Sequence, residues 1–140
     1  SQIDRYISKI SGPVLDRLDI HIEVARLDYE ELEGGGASEG SEEIKKRVEK
    51  ARQVQKNRQG EGVYNAQLSP AEVGKHCVLD SESRLLLKEA FEVMKLSARS
   101  YKKIIKISST IADLAGEENI KRAHLVEAIQ YRSLERKYWR

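Results

Sequence analysis

A chain of 140 residues, 34% charged and 39% hydrophobic with a net charge of +2, holds material for one ordinary domain and no run near the roughly 20 apolar residues of a membrane span. No secretory leader is visible and the single cysteine, Cys77, excludes an internal disulfide, so a cytoplasmic setting with no membrane partner is the default expectation. Because the first residue is Ser1 rather than methionine, we expect a fragment whose upstream part carries most of the chemistry.

In chain order, Ile3, Ile7 and Ile10 fall at helical spacing and predict a short entry helix. Pro13 after Ser11-Gly12 then marks a new one-turn helix, since proline at a first helical position loses no hydrogen bond. That turn delivers Arg17 to the entrance of a predicted strand, in which Leu18, Ile20, Ile22 and Val24 alternate with Asp19, His21 and Glu23. Residues 28–43 carry seven acids and no base, and within them the stretch EGGGASEGS at 33–41 reads as a flexible link and a domain boundary.

Downstream the pattern is helical. Ser41 is the expected cap of a helix with Ile44, Val48, Ala51 and Val54 at its apolar positions, stopping near Gly60. Ser69-Pro70-Ala71-Glu72 combines a capping serine, a first-turn proline and a glutamate three residues after the cap, and predicts a short helix ending around His76. Asp80 caps the next, with Leu86, Ala90, Phe91 and Met94 facing inward, and Ser97 caps another that runs to a glycine stop at Gly116. In that helix Tyr101, Ile104, Ile105, Ser108, Ile111, Ala112 and Ala115 form the expected core face, opposite Arg99, Lys102, Lys103 and Lys106. A final helix holds Leu125, Ala128 and Ile129. The expected fold class is mostly α, a bundle of about five helices behind a short helix-strand remnant.

Two arginines stand out chemically. Arg17, just before the strand, suits a residue reaching across an interface, or one capping a helix end. Arg99 is expected as the second residue of its helix, where a cation opposes the macrodipole by ~0.3–1 kcal/mol and needs an offsetting partner. Phosphate oxygens suit a guanidinium fork beside free helix N–H groups; an acid such as Glu92, or water, is the plainer alternative. Residues 95–112 hold five bases and no acid, a face that attracts anions. His76 and Cys77 are adjacent, but neighbours at a helix end point apart and no second pair follows at zinc spacing, so Cys77 reads as a core residue and no metal site is expected. His21 has no nucleophile patterned around it and reads as exposed. The tail YRSLERKYWR at 131–140 mixes aromatics with cations, which can stack on bases or anchor a tail onto a core; anchoring is the preferred reading.

Residues 11–24 resemble the end of the ATPase core in the magnesium-chelatase-like branch of the AAA+ ATPases, where an arginine in a Pro-x-x-x-Arg setting acts on a neighbouring subunit's nucleotide. LSARSY at 96–101 resembles the sensor-2 segment of the same family, and the similarity continues through IADLAG at 111–116 and AIQYRSL at 128–134. Within the family these stretches are similar to the ComM and YifB type of competence protein. The departures are the glycine-rich link and residues 61–64. The resemblance implies that residues 1–26 end an α/β ATPase core, 27–41 form a linker and 42–140 a helical lid of the magnesium-chelatase C-terminal type. It makes Arg17 the arginine finger and Arg99 the sensor-2 contact to the γ-phosphate of its own subunit's ATP, with the lid turning about residues 34–36. It further implies ATP and Mg2+ in the full-length protein, a homo-oligomeric ring of six, and DNA as partner in ATP-driven branch migration. No G-x-x-x-x-G-K-[ST] and no acid-ended strand for magnesium occur, so the fragment is expected to bind no nucleotide and to be inactive alone. A metal-chelatase motor subunit is the main alternative. A free-standing helical binding module is weaker, because it leaves the predicted strand without a sheet.

Overall fold

Capping chemistry sets most helix boundaries. The computed structural model describes residues 9–10, 12–26, 28–34 and 38–132. Its helices are α1 (Gly12–Leu15), α2 (Tyr29–Glu33), α3 (Ser41–Gln59), a 3₁₀ turn (Asn65–Gln67), α4 (Pro70–His76), α5 (Ser81–Met94), α6 (Ala98–Ala115) and α7 (Arg122–Gln130). Ser69 Oγ accepts from Glu72 N at 3.4 Å while Glu72 Oε2 accepts from Ser69 N at 2.7 Å, the reciprocal box expected for α4. Asp80 Oδ1 accepts from Ser83 N at 2.7 Å, and Ser97 Oγ from Ser100 N at 3.1 Å, opening α5 and α6. These donors hold the carboxyls of Glu72 and Asp80 below their ordinary pKa, through the Ser69 and Ser83 hydrogen bonds respectively. Gly116 (φ 74°) closes α6 in the left-handed region. Gly60 (φ 99°) ends α3, its N–H returning to Lys56 O at 2.9 Å.

Ser41 does not cap α3. It is the first helical residue, preceded by Gly40 with no side-chain cap, and Glu42 and Glu43 in the first turn complement the dipole instead. Burial in α3 begins at Val48, which leaves Ile44 exposed.

The bundle is built on α6, which packs most extensively on α7 and then on α3, the 3₁₀ turn and α4. Ile104, Leu87 and Leu125 are fully enclosed, joined by Ile105, Leu68, Val73 and Ile120. Burying each aliphatic side chain contributes about 1.5–3 kcal/mol, so this cluster is the dominant stabilising feature. Ile104, Ile105, Ser108 and Ala112 face inward as expected, whereas Ala115 in the last turn is exposed. In α5 Ser83 and Leu87 are fully buried, Leu86 and Met94 pack partly buried against the same core as expected, and Phe91 is exposed while forming an edge-on contact with Tyr101, ring centres 5.9 Å apart. The chain is thus mostly α, with α3–α7 forming the expected five-helix bundle.

The strand expected over residues 18–24 does not form. Among the described residues no strand forms, and Leu18, Ile20, Ile22 and Val24 are 49, 48, 68 and 86% exposed. Alternation identifies the apolar face of a strand but supplies no neighbour, and a ladder requires one. The segment is held instead by His21 N donating to Tyr131 O at 3.0 Å. Among the described residues a single bridge, Leu79 with Ile120, ties loops within the bundle. Of the predicted entry helix, Ile3 and Ile7 lie outside the described residues and Ile10 sits at a bend.

Candidate functional site

Pro13 is the second residue of α1, one position after the start expected for it, and the helix closes in a turn in which Arg17 N donates to Val14 O at 3.0 Å. Arg17 follows immediately, with an exposed side chain that has no hydrogen-bond or ion-pair partner among the described residues. Its main chain is fixed: Lys103 Nζ on α6 donates to Arg17 O at 2.7 Å and also pairs with Asp19. The segment after α1 is therefore fastened to the helix that carries the second arginine.

Arg99 is the second residue of α6, as its spacing predicts. It is exposed and, among the described residues, pairs with neither Glu92 nor any other acid. The remaining cations of that face are not equivalent to it. Lys103 is engaged as above, and Lys106 Nζ donates to Ala66 O at 3.0 Å. Lys102 resembles Arg99 in lacking an ion-pair partner among the described residues. With Lys88, Arg84, Phe91, Tyr101 and Ala98 it lines an open groove of about 340 Å³ beside the first turn of α6. The exposed start of α6, the Arg99 guanidinium and the neighbouring Lys88 and Lys102 ammonium groups form a surface on which anionic oxygens are stabilised.

Arg132 joins the two candidate arginines structurally, and sequence reasoning missed it by grouping it with the cations of the tail. It is fully buried. Its guanidinium donates to Leu18 O and, at 2.9 Å, to Ser100 Oγ. Ser100 Oγ in turn donates to Asp16 Oδ1 at 3.1 Å, and Arg132 NH2 lies 3.7 Å from the same carboxylate oxygen. Asp16 precedes Arg17 and Ser100 follows Arg99, so one buried guanidinium contacts the sequence neighbour of each. Burying that charge without such partners would cost several kcal/mol. The signal available in the sequence was the YR pair at 131–132, directly after the periodic residues of α7.

A second, partly buried ion pair links α3 to α6. Arg58 on α3 meets Asp113 on α6, NH1 to Oδ1 at 2.7 Å and NH2 to Oδ2 at 2.9 Å. The hydrogen bond to Asp113 raises the Arg58 pKa further above its already high value. Cys77 is buried, and loss of solvent raises its thiol pKa, consistent with the core role expected of it. No group of three His, Cys, Asp or Glu among the described residues could hold a metal ion. His21 is half-buried rather than exposed. Tyr131 is half-buried too, and its hydroxyl donates to Glu127 Oε1 at 3.0 Å. Residues 133–140 of the tail lie outside the described residues.

Comparison with known proteins places these features in context. The family model described as magnesium chelatase, subunit ChlI C-terminal, matches residues 38–132. The model for magnesium chelatase, subunit ChlI, matches residues 1–32. The chain is 40% identical over 136 residues to Competence protein ComM of Haemophilus influenzae, covering 96% of this chain and 26% of that protein. It is 37% identical over 134 residues to the uncharacterized protein YifB of Salmonella typhimurium, and 35% over 137 residues to that of Escherichia coli, covering 94% of this chain and 26% of the relative in both cases. The chain therefore spans about a quarter of the length of the curated relatives it matches.

Proposed function

Because the chain belongs to the magnesium chelatase ChlI C-terminal family, we propose that it forms the lid end of an AAA+ ATPase subunit whose two phosphate-facing groups are Arg17 and Arg99. The observation that carries this reading is the state of Arg99. It stands exposed at the second position of an 18-residue helix with no acid beside it among the described residues, whereas Lys103 and Lys106 on the same helix are engaged. A guanidinium so placed fits the γ-phosphate of ATP held by the upstream core. Mg2+ would be held by residues outside those described, since no acidic cluster here fits it. Bound ATP with Mg2+ supplies the phosphoryl group to be transferred; these residues supply positive charge around it.

In this reading residues 1–26 end the ATPase core, 27–41 link it to the lid and 42–140 form the lid. Arg17 projects toward the nucleotide of a neighbouring subunit, which requires a ring of like subunits, six in number. A finger of this kind is typically worth about 10³–10⁵ in rate. Arg99 reports whether the γ-phosphate of its own subunit is present, and the lid responds.

The relative ComM is named a competence protein, and we carry that to this chain: the whole protein moves branched DNA in the recombination of incoming strands, in the cytoplasm. The exposed Lys88, Arg99 and Lys102 are consistent with an anionic partner. No described helix is long and apolar enough to cross a membrane. The test is the steady-state ATPase of the full-length protein with and without branched DNA at two salt concentrations. Stimulation that weakens with salt supports a DNA motor, because phosphate contacts release counterions. An ATPase indifferent to DNA favours a second reading, the motor subunit of a metal-inserting chelatase, which the matched family's own description suggests.

A further inference from the structure

We propose that Arg132 is a positioning residue that makes Arg17 and Arg99 respond as one unit, so that the nucleotide state sensed within a subunit alters the finger offered to the next. The inference rests on the functional reading above. It is carried by the geometry of one buried junction. Arg132 is fully enclosed and donates to Leu18 O and to Ser100 Oγ, the latter at 2.9 Å. Ser100, itself 1% exposed, donates its hydroxyl hydrogen bond to Asp16 Oδ1 at 3.1 Å. Ser97 Oγ, the cap of α6, lies 3.5 Å from that carboxylate oxygen. A displacement of the first turn of α6, where Arg99 sits, therefore acts directly on Asp16 and Leu18, the residues on either side of Arg17. Lys103 reinforces the same connection one turn later, through Arg17 O and Asp19.

This arrangement alters where motion is absorbed. The glycines at 34–36 connect residues 1–26 to the bundle, yet residues 16–21 are fastened to α6 and to Tyr131 at the end of α7. If the lid turns, these residues turn with it for as long as the junction holds. Arg17 then moves with the lid rather than staying with the segment upstream of it. A buried network of charge-assisted bonds behaves as two discrete arrangements, made or broken, which is the property a coupling element requires.

The test compares the full-length protein with its Ser100→Ala, Asp16→Asn and Arg132→Gln variants. Ser100→Ala removes one hydroxyl from the relay and keeps every charge, so it isolates the coupling if Arg132→Gln fails to fold. Two readouts are taken: the Hill coefficient of ATP hydrolysis, and amide hydrogen exchange of the peptide containing His21 with and without a non-hydrolysable ATP analogue. We expect the analogue to change exchange at His21 in the parent but not in Ser100→Ala. We expect kcat to fall about 5–10-fold, within the usual coupling range, with KM for ATP unchanged and the Hill coefficient reduced toward one. Arg132→Lys, which keeps the charge but loses the fork, should recover part of the cooperativity. A Ser100→Ala or Asp16→Asn protein with parental cooperativity and a parental exchange response overturns the proposal. The underlying reading fails separately: it falls if Arg17→Ala and Arg99→Ala themselves leave turnover unchanged.

Discussion

Arg58 and Asp113, 55 residues apart, meet fork to fork across the α3–α6 interface at 2.7 and 2.9 Å. Asp113 has no exposed side-chain surface and that of Arg58 is 22% exposed. Asn65 bridges the pair, accepting from Arg58 at 3.0 Å and donating to Asp113 Oδ2 at 2.9 Å. Removing one partner leaves the other charge partly desolvated, which costs about 3–5 kcal/mol when a pair is buried. We expect Asp113→Ala to lie at the low end, about 3 kcal/mol, because Arg58 can turn toward water. Urea unfolding of the 140-residue chain checks this; a loss below about 1 kcal/mol would mean the pair adds little beyond its packing.

Acid should weaken the fold through carboxylates that accept hydrogen bonds, those of two helix starts among them. The carboxyls of Asp80, Glu72 and Glu117 have folded pKa values below their ordinary 3.8, 4.5 and 4.5. The causes are hydrogen bonds from Ser83, from Ser69 and from Lys121 respectively. A depressed carboxyl stabilises the fold fully above its unfolded value, and that contribution is lost as pH falls through the lower folded value. Asp80→Asn retains a cap acceptor while removing one of these titrations. Its loss of stability between about pH 5 and about pH 3 should therefore be smaller than the parent's. Identical acid profiles would show that the Asp80 carboxylate contributes no pH-dependent stability.

Cys77 offers a probe of core opening. The residue is 5% exposed, and burial raises its thiol pKa above 9.0, so both access and the thiolate fraction are reduced. Alkylation near neutral pH should run on the order of tenfold or more slower than in the urea-unfolded chain, since reaction must wait for opening. Equal rates would place Cys77 at the surface.

Much of the bundle was legible because its signals are local. Ser69, Asp80 and Ser97 cap through backbone groups only three residues away, and the glycines at 60 and 116 stop α3 and α6 by their own conformational freedom. What could not be read depends on partners distant in the chain. The alternation at residues 18–24 identified apolar positions without showing that no described strand lies beside them. Arg132 reads as one more cation of a basic tail until the fold brings Leu18 and Ser100 to it from 114 and 32 residues away. Arg17 and Arg99 were each singled out from their own surroundings. Their connection through Asp16 and Ser100 spans 84 residues and required the tertiary structure.

The claim that Arg17 completes a neighbouring subunit's site is tested most directly by measuring ATP turnover and nucleotide affinity of the full-length protein carrying Arg17→Ala. Turnover should fall about 10³-fold, with affinity for ATP unchanged because the residue acts on another subunit's nucleotide. Turnover equal to that of the parent would contradict it.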